Sequence, residues 1–194
     1  MLFAMKLLLC LLLAGCAGPS YDYSKEPDPR KAEFVIGASD SVRIQVWKNP
    51  ELSTEGTVRP DGTITMPLIG DLQAVGKTPT QLRDEITKKL GAYVKDETIT
   101  VTVALTSISS YRYTVSGNFE HPGIFSSKYY VQVAEAIAMA GGINKFANPH
   151  KLIIIRADGK TKVRRIPIDY DRVSSGEHPE ENLVLLAGDT LFAP

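Results

Sequence analysis

The chain has 194 residues, with 22 Lys plus Arg and 22 Asp plus Glu, so its formal net charge is zero. Because proteins that bind nucleic acids usually have a basic excess or a basic face, this balance argues against that class. The hydrophobic fraction of 43% is ordinary for a globular protein, and the length suits one domain or two small ones.

The first residues predict a lipoprotein signal. Met5-Lys6 is a short positive region, Leu7 to Leu13 is an almost pure leucine run, and Leu13-Ala14-Gly15-Cys16 follows. The run is too short to span a bilayer as a helix, and its flanks are those of a secretory signal. The last four residues resemble a bacterial lipobox, which implies cleavage before Cys16 and its lipidation, and Ala17 in place of the retention signal's Asp implies the outer membrane. The alternative is an ordinary signal peptide with an incidental cysteine.

The cysteine content and the next segment agree with such an anchor. Cleavage would remove Cys10 and lipidation would occupy Cys16, so no disulfide is expected although the compartment is oxidising. Stability would then come from a hydrophobic core. Residues 16–33 are rich in proline, serine and charge, which predicts a lipid-anchored tether after a signal peptide over residues 1–15.

The first predicted unit covers residues 34–106. The alternating stretch Val42–Val46 predicts a strand with one buried face. Pro60-Asp61-Gly62 predicts the turn of a tight β-hairpin that joins Val58-Arg59 to the alternating Thr63–Met66. Such elements are typical of a structural domain rather than of a site that carries chemistry.

A helix is predicted to start in the same unit at Thr78-Pro79-Thr80-Gln81, which combines a capping box with proline in the first turn. Leu82, Ile86 and Leu90 lie four residues apart and form one apolar stripe. The alternating stretch Thr98–Leu105 then predicts another strand, so that the unit as a whole is a small α+β domain.

The second predicted unit covers residues 110–194. It begins with an alternating strand at 111–115, has a turn at 121–123 and continues with a short helix from Val133 that ends at Gly141-Gly142. Strands are predicted at 151–156 and 162–168, followed by a loop at 169–182. The stretches 183–186 and 191–192 predict a closing hairpin or a paired strand.

The residues that could carry chemistry form no catalytic or metal-binding motif. The histidines lack neighbours at zinc spacing and are expected on turns or the surface: His121, His150 and His178. Two carboxylates across a cleft could serve a glycosidase, but any chain with 22 acidic residues offers such pairs. We therefore expect no enzymatic activity, no metal and no cofactor.

Two further groups of residues could form binding sites. Aromatic side chains could stack on sugars, although packing in the core or at a subunit interface is the favoured prediction: Trp47, Tyr111, Tyr113, Tyr129 and Tyr130. A small basic cluster is predicted to be a solvated strand face rather than a polyanion site: Lys162, Arg164 and Arg165.

The order and spacing of several short motifs resemble two known domain families. The stretch from Phe34 to Gly70, with the helix and strand that follow, resembles the polysaccharide biosynthesis/export domain. Its motif residues are Gly37, Asp40, Trp47, Arg59, Pro60, Asp61, Gly62, Pro67 and Gly70. The second unit resembles a soluble-ligand-binding β-grasp (SLBB) domain, with the motif residues Gly117, Pro122, Gly123, Gly141 and Gly142.

This resemblance implies the fold class α+β, with a small polysaccharide-export domain followed by a β-grasp-like SLBB domain. It implies an outer-membrane lipoprotein with its body in the periplasm, belonging to the capsule and exopolysaccharide export machinery. Members form homo-oligomeric rings, often octameric, whose lumen conducts the polysaccharide without catalysis, and they act with an inner-membrane polysaccharide co-polymerase, often linked to a tyrosine kinase. The alternatives are a carbohydrate-binding or scaffolding lipoprotein without a channel and, third, a glycan-trimming enzyme.

The sequence departs from the family pattern in two places. The usual Gly-Pro-Gly-Asp turn is Gly37-Ala38-Ser39-Asp40 here, which is tolerated if the backbone conformation at Ser39 permits. Full-length members also carry further SLBB-type units and a C-terminal amphipathic helix that crosses the outer membrane, whereas this sequence has one such unit and ends at Pro194. From this we expect a short periplasmic ring that docks under a separate outer-membrane β-barrel protein.

Overall fold

The computed structural model describes residues 21–93, 99–159 and 161–194. The predicted signal peptide, Cys16 and the first residues of the predicted tether lie outside these ranges. The described chain forms two α+β units, and each has its own cluster of buried apolar side chains. The predicted α+β class is therefore confirmed, and the two clusters show that each unit is stabilised by a separate core.

The first unit is built around β1 (Ser41–Val46), whose alternating residues are buried as predicted. This strand lies between β2 (Thr54–Thr57) and β5 (Val101–Ser107) in a three-stranded antiparallel sheet. A separate antiparallel pair is formed by β3 (Thr63–Met66) and β4 (Gly70–Gln73). The apolar residues of these strands face the helix α1 (Pro79–Leu90) across the first core.

The turn at Pro60-Asp61-Gly62 exists, and the amide of Arg59 donates across it to the carbonyl of Thr63 at 2.9 Å, but the predicted hairpin does not continue into a pair of strands. The amide of Gly62 donates to the carbonyl of Arg59 at 2.9 Å, which closes the turn. The strand that follows the turn, β3, pairs with β4, and β2 before the turn pairs with β1. The alternating pattern predicted β3 correctly, but a local pattern does not specify which strand is its partner.

Helix α1 forms as its sequence predicts. The hydroxyl of Thr78 accepts from the amide of Gln81 at 3.2 Å, and the side-chain oxygen of Gln81 accepts from the amide of Thr78 at 3.0 Å. These two bonds satisfy amide groups that have no partner within the helix. Leu82, Ile86 and Leu90 are fully buried, so the apolar stripe is the face that packs on the core.

The second unit contains a five-stranded sheet in the order β7-β6-β10-β8-β9. Its strands are β6 (Arg112–Gly117), β7 (Gly123–Ser126), β8 (Leu152–Asp158), β9 (Lys162–Ile168) and β10 (Thr190–Ala193). Strand β10 is parallel to β6 and antiparallel to β8. Of the two predictions for the closing segment, the paired strand is therefore right and the hairpin is wrong.

One face of this sheet is covered by α2 (Val133–Met139), which ends as predicted at two glycines. Gly141 and Gly142 have φ values of +78° and +95°, and the amide of Gly142 donates to the carbonyl of Ile137 at 2.8 Å. The predicted loop at 169–182 contains a further short helix, α3 (Tyr170–Ser175). It forms because the Asp169 carboxylate accepts from the first amides of the helix and caps it. The polar composition of the segment predicted a loop and did not indicate this cap.

The N-terminal segment differs from the free tether that we predicted over residues 16–33. Its described part, residues 21–33, includes two short 3-10 turns, Tyr23–Lys25 and Pro29–Lys31. The rings of Tyr21 and Tyr23 pack against the core of the second unit, and the Tyr23 hydroxyl donates to the carbonyl of Pro167 at 2.8 Å. The composition of residues 21–33 therefore did not indicate that this segment packs against the second unit. Within the described ranges, no helix combines the length and the apolar character that crossing a bilayer requires.

Candidate functional site

The two units meet at a buried carboxylate, that of Asp40. One of its oxygens accepts from the amides of Ser109 and Ser110, each at 2.8 Å. The other accepts from the amide of Gly37 and from the hydroxyl of Ser110, also at 2.8 Å. Four donors surround the fully buried charge, as a carboxylate removed from water requires. We call this contact, between residues 37–40 and 109–110, the Asp40 junction.

The backbone at the Asp40 junction explains two motif positions. A Cβ atom added to Gly37 would lie 2.2 Å from the Cβ of Ser110, so only glycine allows the two segments to come this close. Ser39 has a φ of +73°, in the left-handed region that costs a residue with a side chain about 1 kcal/mol or more. The family's usual glycine at this position would remove that strain, and the serine here tolerates it.

An apolar pocket of about 600 Å³ opens beside the Asp40 junction. Its lining includes Phe34, Tyr111, Tyr130 and Leu186. The rings of Tyr111 and Tyr130 meet edge to face with their centroids 5.2 Å apart, and the Tyr111 hydroxyl accepts from the amide of Val131 at 3.0 Å. Aromatic packing thus continues from the junction into the core of the second unit.

A second buried polar cluster attaches the N-terminal segment to the sheet of the second unit. Nη1 of Arg156 lies 2.7 Å from Glu26, and its Nη2 lies 2.6 Å from Asp189. The side chains of Arg156 and Glu26 are only 4% and 1% exposed. Burial disfavours the charged guanidinium, but the hydrogen bonds and charges of Asp189 and Glu26 outweigh it and raise the pKa of Arg156. We call these residues the Glu26 cluster.

Two more side chains complete the Glu26 cluster. Arg164 lies 2.8 Å from the second oxygen of Glu26, so part of the predicted solvated basic face is used internally. The Tyr21 hydroxyl also donates to Glu26, and burial, followed by this hydrogen bond, raises the pKa of Tyr21. A carboxylate with three partners is a strong attachment point for a segment that has no buried residue of its own in its 3-10 turns.

A polar groove of about 870 Å³ runs between this segment and the second unit. Its lining includes Tyr21, Tyr23, His150, Arg172 and Glu180. Burial, and secondly the charge of Glu181, raise the pKa of Tyr23 to about 12. Tyrosine rings beside charged and hydrogen-bonding groups are surfaces to which a carbohydrate could bind.

Two of the three predicted surface histidines line the same groove. His150 lies 3.0 Å from Asp169, and His178 lies 2.8 Å from Glu180. Burial opposes ionisation of Asp169, but hydrogen bonds from His150 and from the first turn of α3 lower its pKa. Among the described residues, no three potential ligands converge on a point where a metal ion could bind.

The remaining motif residues of the first unit do not form one pocket. The guanidinium of Arg59 bridges Asp61 at 2.9 Å and Asp71 at 3.1 Å on the exposed face of the β3–β4 pair. The Arg59 hydrogen bonds, with those of Thr63, hold the pKa of Asp61 far below its usual range. Trp47, at the end of β1, is 69% exposed. Of the other motif residues of this unit, Pro60, Gly62 and Pro67 lie in turns or bends and Gly70 begins β4.

Two motif glycines of the second unit, Gly117 and Gly141, lie where chain segments approach one another. A Cβ atom on Gly117 would lie 2.1 Å from the carbonyl oxygen of Ala193, and one on Gly141 would lie 2.9 Å from the His121 ring. Pro122 precedes β7 and Gly123 begins it. Gly117 and Gly141 thus permit close packing, whereas a Cβ atom on Gly123 or Gly142 would have no neighbour within 4 Å.

Sequence reasoning missed the Glu26 cluster, although one signal was present. Arg156 follows Leu152 and Ile154 at alternate positions of an apolar strand, so it occupies an inward-facing position. A buried arginine requires a carboxylate partner, but the sequence does not show which of 22 acidic residues supplies it.

The aromatic residues that could stack on sugars fall into two groups. Tyr111 and Tyr113 are buried in the core, whereas Trp47 and Tyr129 are exposed.

Comparison with known families identifies both units. Residues 28–104 match the model described as "Polysaccharide biosynthesis/export protein", and residues 112–167 match the SLBB domain. The first match covers the β1–β5 unit and the Asp40 side of the junction. The second covers β6 to β9 and includes Arg156 of the Glu26 cluster.

Curated relatives agree with these matches. The chain is 31% identical over 158 residues to the EPS I polysaccharide export outer membrane protein EpsA of Ralstonia solanacearum, covering 69% of this chain and 41% of EpsA. It is 27% identical to the exopolysaccharide production protein ExoF of Rhizobium meliloti, covering 70% and 35%, and 19% identical to the polysialic acid transport protein KpsD of Escherichia coli, covering 67% and 23%. The chain spans less than half the length of these relatives. It belongs to the polysaccharide biosynthesis/export family, with an export domain followed by an SLBB domain.

Proposed function

We propose that this protein is a component of an outer-membrane system that exports a capsular or extracellular polysaccharide. In this role several copies form a ring in the periplasm, and the polysaccharide passes through the lumen without being chemically changed. The names of the relatives support the export role, since EpsA is an export outer membrane protein and KpsD a transport protein. The ring of this proposal has eight subunits.

The observation that carries the proposal is the Asp40 junction. Four hydrogen bonds to one buried carboxylate hold the export domain and the SLBB domain in a fixed relation. A conduit wall needs subunits that keep their shape while a polymer moves past them. A passage also needs weak contacts with its cargo, because a tightly bound polymer would not move. Rigid coupling of two small domains meets the first requirement without any catalytic group.

The anchor and the partners complete the proposal. Lipidation at Cys16 would hold the protein at the outer membrane with its body in the periplasm, and an inner-membrane polysaccharide co-polymerase or tyrosine kinase would deliver the polymer. A Cys16→Ser variant is expected to lose the acyl mass shift and the outer-membrane fractionation. Unchanged fractionation without any lipid mass on the wild-type protein would contradict the anchor.

The ring is tested by extracting the full chain in a mild detergent and measuring its mass by native mass spectrometry, with negative-stain imaging of the same sample. We expect a closed homo-oligomer, and a deletion strain that accumulates polymer inside the cell. Complementation with the wild-type gene should restore export. A monomeric protein whose deletion leaves surface polysaccharide unchanged would overturn the proposal.

One observation favours a second function, a carbohydrate-binding or scaffolding lipoprotein without a channel. The polar groove beside Tyr21 and Tyr23 has the size and the lining that a short glycan segment would need. Isothermal titration with fragments of the exported polymer distinguishes the two functions. A monomer that binds fragments in this groove would support the second function, and a ring without measurable fragment binding would support the first.

A further inference from the structure

One face of the five-stranded sheet is turned away from the helices, and we call it the outer sheet face. The register places Ile124, Thr114, Thr190, Ile155 and Arg165 in one row across all five strands. Their sequence neighbours point into the core, as in Tyr113, Leu191, Ile154 and Ile166. Because residues alternate between faces of a strand, the row lies on the side opposite the core.

The outer sheet face is more apolar than a surface in water requires. Ile124 on the edge strand β7 is 75% exposed, and Val163 on the edge strand β9 is 64% exposed. Between these edges, Ile153, Ile155 and Phe192 are only partly buried. These apolar residues lie on β10, β8 and β9, and the outward residues Arg112, Thr114 and Ser116 of β6 separate them from Ile124. Exposed apolar side chains gathered on one face are typical of a protein-protein contact.

The outer sheet face is also basic on its β9 side. Arg165 is exposed there and belongs to the row that crosses the face, whereas Lys162 lies on the other side of β9, in alternation with Arg164 and Ile166. The nearby Asp158 lies 3.6 Å from Arg164, whose guanidinium also contacts Glu26 on the core side. Arg165 therefore contributes a positive charge to an otherwise apolar surface.

The opposite side of the second unit is acidic. The segment 169–182, which we call the acidic segment, has five acidic residues and one arginine, a formal charge of −4. It belongs to the helical layer, since Val173 of α3 packs into the core from that side. Asp169 and Glu181 are used in local contacts, whereas Asp171, Glu177 and Glu180 are exposed, with His150 near Asp171 and His178 near Glu180.

We propose that the outer sheet face of one copy packs against the acidic segment of the next copy around the ring. The two surfaces are complementary in charge and lie on opposite sides of a two-layer unit. A contact between two different surfaces of the same chain is not completed by two copies, so it continues until a ring closes. This assignment rests on the proposed ring and names the surfaces that form it.

The proposal is tested by reversing charges across the interface. The dissociation constant of the ring is measured on the full chain by native mass spectrometry and analytical ultracentrifugation. Arg165→Glu is expected to raise the dissociation constant of the ring at least tenfold. Adding Glu180→Arg or Glu177→Arg to this variant should restore at least part of the assembly. Lys88→Glu on the exposed side of α1 makes the same charge change in the export domain and should leave the ring intact.

The apolar part of the surface has its own test. Ile124→Ser and Val163→Ser remove exposed side chains, so the monomer should keep its circular dichroism spectrum while the ring weakens. A ring that keeps its subunit number and stability in these variants and in Arg165→Glu would overturn the surface assignment and leave the ring standing. Failure of every charge exchange would exclude the acidic segment as the partner surface. A monomeric wild type would overturn the ring itself.

Discussion

The carboxylate of Glu26 lies 2.7 Å from the guanidinium of Arg156, although 130 positions separate the two residues in sequence. Together with the packing of Tyr21 and Tyr23, this contact attaches the N-terminal segment to the SLBB domain. The same guanidinium contacts Asp189, next to β10, so the Glu26 cluster connects the beginning of the described chain, the centre of the sheet and its last strand.

We expect Glu26→Ala to destabilise the SLBB domain by about 2 kcal/mol, because Arg156 loses one of its two carboxylate partners and keeps only Asp189. Urea unfolding followed by circular dichroism measures the loss, and hydrogen exchange should show faster exchange in β8 and β9. The matched control is Glu33→Ala, an exposed residue that accepts from Thr80 in the export domain. Equal stability of the two variants would show that the Glu26 cluster does not hold the segment.

Asp40→Asn should loosen the connection between the two domains. An amide has one acceptor oxygen for the four donors of the Asp40 junction, so the loss is about 3 kcal/mol. Limited proteolysis should cut near residues 107–110 much faster than in the wild type, and small-angle scattering should report a wider range of shapes. Asp61→Asn, an exposed residue in the same domain, serves as the control. A proteolysis rate equal to that of the control would contradict a rigid junction.

Ser39→Gly should stabilise the protein, since Ser39 has the positive φ that glycine adopts without strain. The gain is about 0.5 kcal/mol, because the greater freedom of glycine in the unfolded chain cancels part of it. Gly37→Ala is the opposite experiment: its Cβ would collide with Ser110, and the melting temperature should fall by several degrees. Thermal melts of both variants against the wild type check the two signs, and a stabilising Gly37→Ala would refute the close approach.

Stability should fall in alkaline solution between about pH 10 and pH 12. Burial raises the pKa of Tyr23 to about 12 and that of Tyr113 to about 12. Both phenols stay protonated in the folded protein while they ionise near 10 in the unfolded chain. Their contribution is therefore fully present below pH 10 and is lost as the pH rises through the folded values. Urea unfolding at a series of pH values should show a smaller alkaline loss in Tyr113→Phe than in Tyr93→Phe, a change at an exposed tyrosine.

The parts of the fold that sequence predicted are those encoded by neighbouring residues. The capping box of Thr78 and Gln81 and the apolar stripe that begins at Leu82 specify α1, and both lie within the helix or beside it. Gly141 likewise ends α2 through its own positive φ. The features that the sequence did not predict depend on contacts between residues that are distant in the chain. The pairing of β3 with β4, the position of β10 and the docking of Glu26 each require contacts that no local pattern specifies.

The candidate site shows the same division. The motif residues Gly37 and Asp40 were predicted from their spacing. Their role in joining the two domains follows from the hydrogen bonds that Ser109 and Ser110 donate to Asp40, which the sequence does not show. Backbone amides donate these hydrogen bonds, and every residue except proline has such an amide. The sequence therefore does not show which residues will be the donors.

The position of β10 also bears on how the SLBB domain folds. Strands β6 and β8 are not neighbours, since β10 lies between them and pairs with both. Until Thr190–Ala193 are synthesised, the sheet is divided into the hairpins β6–β7 and β8–β9, each with an unpaired edge. A chain synthesised from its N-terminus would therefore complete the export domain before the SLBB domain, whose sheet closes only when β10 is available.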